Sequence, residues 1–306
     1  NNKQQTTNNK QQTTNNKQQT TNNSLKKSIC FVTLCIFTSL IKKIKFMKLL
    51  FLATLAILSA ACNSAQNTKD KNMSREDYAN TITSEELKTH LYELASDEMQ
   101  GRMTGEKGQK LAAEYLRNFY QDQGISSPIE KNNYYQNIPA EYFNRMKEPK
   151  SSENVLAFIR GSEKPDEIIV LSAHYDHVGM KNGEVFNGAD DDGSGTVAML
   201  EMAEAFQQAV KNGNGVAKQY SDLELDYKFN DENDPNRFYY RSDHYNFAKN
   251  NIPIIFYFNG VHEDYHKATD TPDKIEYDLY AKRTKLIFQT AWEIANREGR
   301  ITSDTL

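Results

Sequence analysis

The stretch EIIVLSAHYDH, Glu167–His177, followed shortly by GADDDGSG, Gly188–Gly195, decides how the chain is read. EIIVLSA is apolar on both faces, the pattern of a strand buried in the middle of an α/β sheet. His174 is the first residue beyond that run, and open α/β sheets gather function outside the carboxyl ends of their strands. An imidazole and a cluster of carboxylates are thus predicted to share one sheet edge. A protein without useful cysteines builds a zinc site in this way. HYDH alone also fits a surface turn, and an Asp-rich loop alone fits a solvated turn or a weak cation site. Their order and strand-end placement favour a metallohydrolase. If HYDH stays extended, His174 and Asp176 share a face and His177 points away, so that Asp176 orients or tunes the His174 ring from behind.

The elements around this core follow from periodicity. Thr83–Glu86 fits a capping box, with Leu87, Leu91 and Leu94 at helical spacing behind it. A second amphipathic helix is predicted over 108–122, with Leu111, Tyr115, Leu116 and Phe119 on one face and Gly124 as its stop. Val155–Arg160 and Glu167–Ala173 read as strands. Ser194 can cap a helix whose buried face is Met199, Met202, Ala203, Phe206 and Val210, ended by KNGNG. Leu223–Phe229 alternates like an edge strand, and Ile254–Phe258 reads as a second buried strand with Pro253 at its start. A closing helix presents Leu279, Leu286, Ile287, Ala291 and Ile294. The fold class expected is α/β, a mixed and mainly parallel sheet flanked by helices.

The first 61 residues differ from the rest. NNKQQTT is repeated three times over residues 1–21 with no apolar heptad position, which rules out a coiled coil. Ile29–Ile41 is apolar over only 13 residues, short of the roughly 20 that span a bilayer. Residues 1–46 are expected to be a disordered or spurious extension. From Met47 the pattern is a secretory signal, with lysines, an apolar core at Leu49–Leu58 and small residues before Cys62. LSAAC, Leu58–Cys62, resembles a bacterial lipobox. Signal cleavage near Ala61 is the alternative, but the polar NSAQNTKDKN that follows favours lipidation at Cys62. Residues 47–62 are then a lipoprotein signal, 63–82 a tether, 83–298 the folded domain and 299–306 a tail. The lipid would hold the chain at a bacterial cell envelope, on the periplasmic or outer-membrane side.

All three cysteines (Cys30, Cys35, Cys62) lie in the leader, leaving His, Asp and Glu as metal ligands for the domain. The leader also holds nine lysines and no acid. Residues 62–306 carry 28 basic against 41 acidic side chains, a net of −13, which argues against nucleic acid as a partner. HEDYH, His262–His266, matches HExxH, but the zincin reading needs that motif on a long helix. Asn259–Gly260 and the TDTP of Thr269–Pro272 leave too little room for one.

HYDH, GADDDGSG, the SDH of Ser242–His244 and the YHKATDT of Tyr265–Thr271 together resemble the di-zinc aminopeptidase family of aminopeptidase Y and the bacterial leucyl aminopeptidases. Glutamate carboxypeptidase, glutaminyl cyclase and the transferrin receptor ectodomain are relatives of that family. SDEMQGRMTG, Ser96–Gly105, resembles its leading segment, and the likeness covers about residues 83–298. It implies a zinc exopeptidase fold and two zinc ions. His174 would bind one and His266 the other, with Asp191 bridging them ahead of a cis Asp191–Asp192 peptide. Asp176 would stand behind His174, and Tyr239 would match a tyrosine that steadies the oxyanion in some members. Peptide substrates and cleavage at the N-terminal bond follow from the same likeness. Zinc lowers the pKa of a bridging water, a glutamate takes its proton, and zinc with nearby donors stabilises the oxyanion.

The chain departs from the family pattern downstream. The family carries a Glu-Glu pair, general base and zinc ligand, after the helix that follows the bridging aspartate, and a further aspartate ligand one strand later. Between Gly213 and Tyr239 there is no such pair. The 75 residues from Asp191 to His266 cannot hold the missing strand and helix units, at around 30 residues each, beside the elements already placed. An internal deletion near Gly215 is inferred, by mutation or a faulty gene model, with part of the sheet lost. Glu224, Asp226 and Glu232 lie in the interval, but nothing in their spacing recommends them as substitutes. The expectation is a zinc metallo-aminopeptidase impaired by loss of its general base and two ligands. A non-catalytic binding lipoprotein of the same fold and a mono-zinc glutaminyl cyclase-like enzyme are the alternatives.

Overall fold

Ser74 caps the first helix, α1 (Arg75–Thr81): its hydroxyl accepts from Asp77 N at 3.2 Å, while the Asp77 carboxylate accepts from Ser74 N at 2.8 Å. The computed structural model describes residues 73–144, 147–212, 223–231 and 233–302. The extension, the signal, Cys62, Gly215, Glu232 and the end of the tail lie outside the described residues. Helix α1 begins inside the stretch assigned to the tether, and Tyr78, Ala79 and Ile82 are fully buried. The folded body therefore starts earlier than residue 83.

Thr83 caps α2 (Ser84–Leu94) by accepting from Glu86 N, and Leu87, Leu91 and Leu94 are buried as their spacing predicts. Next comes α3 (Lys107–Asp122), which ends where Gly124 turns with φ +69°. Helix α4 (Gly195–Asn212) packs against α1, α2, α3 and α6 (Tyr277–Asn296). On one side Val197, Ala198, Met202, Ala205 and Ala209 meet Tyr78, Leu91, Phe288 and Trp292, and on the other Leu200 meets Leu116 and Tyr120. A short helix, α5 (His244–Ala248), lies apart from this core.

Three helix faces differ from expectation. In α3 the buried residues are Gly108, Gln109, Ala112, Ala113, Leu116 and Tyr120, of which only Leu116 belongs to the predicted face. In α4 the fully buried residues include Val197, Leu200, Glu201 and Ala205, whereas Val210 is 53% exposed. Because several helices cover α4, its buried surface is wider than one amphipathic stripe. In α6 the buried row is Tyr280, Ala281, Thr284, Phe288, Gln289, Ala291 and Trp292. Of the residues predicted there only Ala291 is buried, since the row is set by the large aromatic rings that reach Tyr78 and Phe206.

The sheet is much smaller than expected. Strands β1 (Tyr135–Ile138) and β2 (Ser152–Val155) pair antiparallel, with Tyr135 opposite Val155. Strands β3 (Gly179–Lys181) and β4 (Glu184–Phe186) form a hairpin whose turn residues, Asn182 and Gly183, both have positive φ. Among the described residues no mainly parallel sheet is formed, and the one parallel bridge joins Met103 to His177. Of Val155–Arg160 only the first residue lies in a ladder. Glu167–Ala173, Leu223–Phe229 and Ile254–Phe258 lie in none. Ile168 is 70%, Val170 57% and Ile255 55% exposed. A run apolar on both faces needs a neighbour on each edge to take its backbone groups out of water, and no ladder among the described residues supplies one. No described helix is long and apolar enough to cross a membrane.

One polar group sits deep in the helical core. Glu201 on α4 lies 3.4 Å from His90 Nε2 without hydrogen-bond geometry, and His90 Nδ1 meets the Tyr115 hydroxyl at 2.5 Å. Burial, aided by Glu86 and Glu204, pushes Glu201 up to about 8, and burial lowers His90. The pair is therefore neutral at neutral pH.

Two outcomes are expected. Folded Glu201 holds a proton that the unfolded chain, at about 4.5, releases, so its contribution to stability falls as pH rises from 4.5 through 8. Glu201→Gln should be more stable than the native chain to urea unfolding at pH 9, by at least about 1 kcal/mol, with the gap closing towards pH 5. The exposed apolar run should bind a hydrophobic dye such as ANS. Joint Ile168→Lys and Val170→Lys substitution should lower that fluorescence while the far-UV circular dichroism stays unchanged.

Candidate metal centre

HYDH is fixed by its backbone rather than by a ladder. His174 N donates to the Asp192 carboxylate at 3.2 Å, Thr196 Oγ1 donates to His174 O at 3.0 Å, and His177 N donates to Arg102 O at 3.1 Å. The Tyr175 ring turns the other way, its hydroxyl donating to Glu153 O at 2.6 Å. GADDDGSG forms a wide turn, Ala189–Ser194, leading into α4, and its Asp191–Asp192 peptide is cis. Gly188, at φ +56°, has no room for a side chain: a Cβ there would lie 2.5 Å from the His177 ring and 2.6 Å from Asp191 O. Asp192 points inward and accepts from Gly195 N at 3.1 Å.

Three imidazoles surround Asp191, two of them close. Its Oδ1 is 3.3 Å from His174 Nε2, and its Oδ2 is 2.8 Å from His266 Nε2 and 3.8 Å from His177 Nδ1. The other His174 nitrogen faces Asp176, 3.0 Å from its carbonyl and 3.6 Å from its carboxylate. Thr104 donates its hydroxyl to that carboxylate. Burial works against a charged His174, but the Asp176 and Asp191 carboxylates outweigh it and lift the ring to about 11. Burial likewise opposes Asp191, yet His174, His177 and His266 hold it below the usual carboxylate range. Burial raises Asp192 to about 7 and pushes His177 down to about 4, leaving that ring a neutral imidazole.

Other candidates fall elsewhere. Tyr239 sits in the turn Phe238–Tyr240 and packs on Tyr240, His244 and Tyr245; none of its described ring contacts is with His174, Asp191 or His266. Tyr265 is the phenol beside the centre, stacked on His266 with ring centroids 3.9 Å apart. His244 of the SDH stretch stacks on Phe256. HEDYH forms turns rather than a helix, and its histidines face different carboxylates, His262 meeting Asp190 at 3.1 Å and His266 meeting Asp191. Asp226 is paired with Lys228 at 2.7 Å, and Glu224 is exposed.

The donor set is short for two zinc ions. Within 3.3 Å each side of Asp191 offers one carboxylate oxygen and one imidazole, with His177 farther off at 3.8 Å, whereas catalytic zinc takes three protein ligands. Among the described residues no group of three or more His, Cys, Asp or Glu side chains is arranged to hold a metal. His177 comes nearest to a further donor, its Nε2 buried without a hydrogen-bond partner. Strand alternation turned it away from the site, but HYDH lies outside any ladder and is not bound by that alternation. Arg102 and Asp270 also escaped sequence reasoning, although both lie inside the stretches that carry the family likeness.

Two curated proteins are similar to parts of the chain. Leucine aminopeptidase 1 of Chaetomium globosum is 31% identical over 136 residues, 40% of this chain and 31% of that protein. A "Probable zinc metalloprotease" of Pyrenophora teres f. teres is 31% identical over 97 residues, 30% of this chain and 19% of that protein. The chain thus spans less than a third of the length of these relatives. No solved structure matches. The segments that carry HYDH, the Asp cluster and His266 match Peptidase family M28, over residues 154–217 and 206–291.

Proposed function

We propose that the chain carries the centre of a zinc-dependent aminopeptidase in incomplete form, impaired in hydrolysis by lack of a general-base glutamate and of the third ligand to each ion. The observation that carries this reading is the Asp191 carboxylate, with one oxygen towards His174 and the other towards His266. A first zinc would draw on His174 and Asp191, a second on Asp191 and His266, with Asp176 holding the His174 ring. That set does not complete either ion, so no hydrolytic step is assigned to it. The M28 match and the names of the two relatives support a zinc peptidase at family level. The match breaks into two segments that overlap at 206–217, the place where the missing units belong, which supports an internal deletion. Peptide substrates, a lipid anchor at Cys62 and a cell-envelope location belong to the same proposal, supported by the sequence pattern. A non-catalytic metal-binding role is the second reading, favoured by the missing third ligands.

Elemental analysis of the full chain after equilibration with zinc and dialysis tests the proposal, paired with release of nitroaniline from leucine p-nitroanilide. Fewer than two zinc ions per chain and little or no turnover are expected. His174→Ala and His266→Ala should each lower the zinc that remains, and Glu263→Gln should leave both readouts unchanged. Two tightly held zinc ions with turnover would show that substitute ligands exist and would overturn the impairment.

A further inference from the structure

We infer that Arg102 and Asp270 are paired positioning residues that clamp the Asn187–Asp191 loop and so set the place of the Asp191 carboxylate. This rests on the reading of that carboxylate as the bridge of the metal centre. Both side chains are buried, Arg102 at 0% and Asp270 at 2% exposure. Arg102 donates through Nη1 to Asn187 O at 2.6 Å and through Nη2 to Gly188 O at 2.8 Å. Asp270 takes the next three amides: Ala189 N donates to its carbonyl at 3.3 Å, Asp190 N to Oδ1 at 2.9 Å and Asp191 N to Oδ2 at 3.2 Å. Five consecutive residues thus present two carbonyls to a buried cation and three amides to a buried aspartate. Gly188 sits at the changeover, in a left-handed conformation that lets the chain reverse the side its polar groups face.

The clamp reaches every part of the site. Arg102 Nε donates to Tyr175 O at 2.6 Å, next to His174, and Nη1 also donates to Leu94 O at 2.8 Å at the end of α2. Asp270 closes the turn that carries His266, and His262 in the same turn meets Asp190. Residues 94–102, 174–177, 187–191 and 262–270 are thereby held in register by two side chains. A guanidinium suits this role because its donors form a rigid fork; a lysine carries the charge but not the spread of donors. In Asp270→Asn one carboxylate oxygen becomes an NH2 group that faces an amide N–H, so one loop amide loses its acceptor.

Hydrogen exchange on the full chain, read by peptides over 187–193, tests the clamp without requiring metal. Arg102→Lys and Asp270→Asn are expected to speed exchange at 189–191 about tenfold while peptides from α4 and α6 keep their protection. Zinc affinity, measured by competition with a chromophoric chelator, should fall roughly 10- to 100-fold. Phe288→Leu, which loosens the ring cluster with Phe206 and Trp292 between α4 and α6, should keep native zinc affinity at a comparable loss of melting temperature. Unchanged exchange at 189–191 in both variants would overturn the proposal, as would equal acceleration throughout the core. Local acceleration in a chain whose native form binds no zinc would uphold the clamp and remove the metal-centre reading instead.

Discussion

A helix that must be buried on more than one side has little freedom to slide or rotate, and α4 is in that position, with α1, α2 and α6 on one flank and α3 on the other. Small residues at Ala198, Ala205 and Ala209 let those neighbours approach, and Val197, Leu200 and Met202 fill the space between. Because cores are packed to crystal-like density, shifting α4 by even one residue would open voids on both flanks. The N-terminus of α4 is therefore a fixed point. The Asp cluster hangs from it through Gly195 N and Asp192, and Tyr280 of α6 ties in Ser194 O at 2.5 Å. Core and site share one anchor.

The helical part of the fold was largely legible in the sequence. Thr83, Leu87, Leu91 and Leu94 and the Gly124 stop declared α2 and α3 because caps and 3.6-residue spacing are local signals. The faces of α3, α4 and α6 were less legible, since which side a helix buries depends on how many neighbours it has, and Phe119, Val210 and Leu279 look like core residues until those neighbours are placed. Helix α1 was missed because REDYANT is mostly polar and its seat is decided by Tyr78 stacking on Trp292, more than two hundred residues away. The parallel sheet failed for the opposite reason. EIIVLSA carries a strong strand pattern, but pairing is a property of two segments, and one sequence window cannot report whether a partner lies beside it.

At the site, the residues brought together are those whose motifs sit at chain turns: His174 after its apolar run, Asp191 before α4, and His266 after Asn259–Gly260. Their convergence did not need the sheet that sequence reasoning used to justify it. His177 was misplaced because the alternation rule was applied to a segment that is not a strand. Tyr239 was placed by its distance from Ser242 alone, a weak constraint in a stretch with tyrosines at 239, 240 and 245. Asp270 and Arg102 lay inside the quoted motifs, but nothing local marks a charged residue as buried; that depends on backbone groups up to 86 residues away.

Asp191 has its histidine neighbours although the strands expected to place them form no ladder among the described residues. In an open α/β fold the strand ends would place such side chains. Here the placement rests on hydrogen bonds between side chains and loop backbone: the His174 amide donates to Asp192, Arg102 donates to the carbonyls of Tyr175, Asn187 and Gly188, and the amides of Asp190 and Asp191 donate to Asp270. Such bonds act on the loops themselves and do not require a strand ladder, because each is satisfied within the segments it joins. They hold only what they touch. Among the described residues that is enough to keep the Asp191 carboxylate between His174 and His266, one oxygen towards each ring.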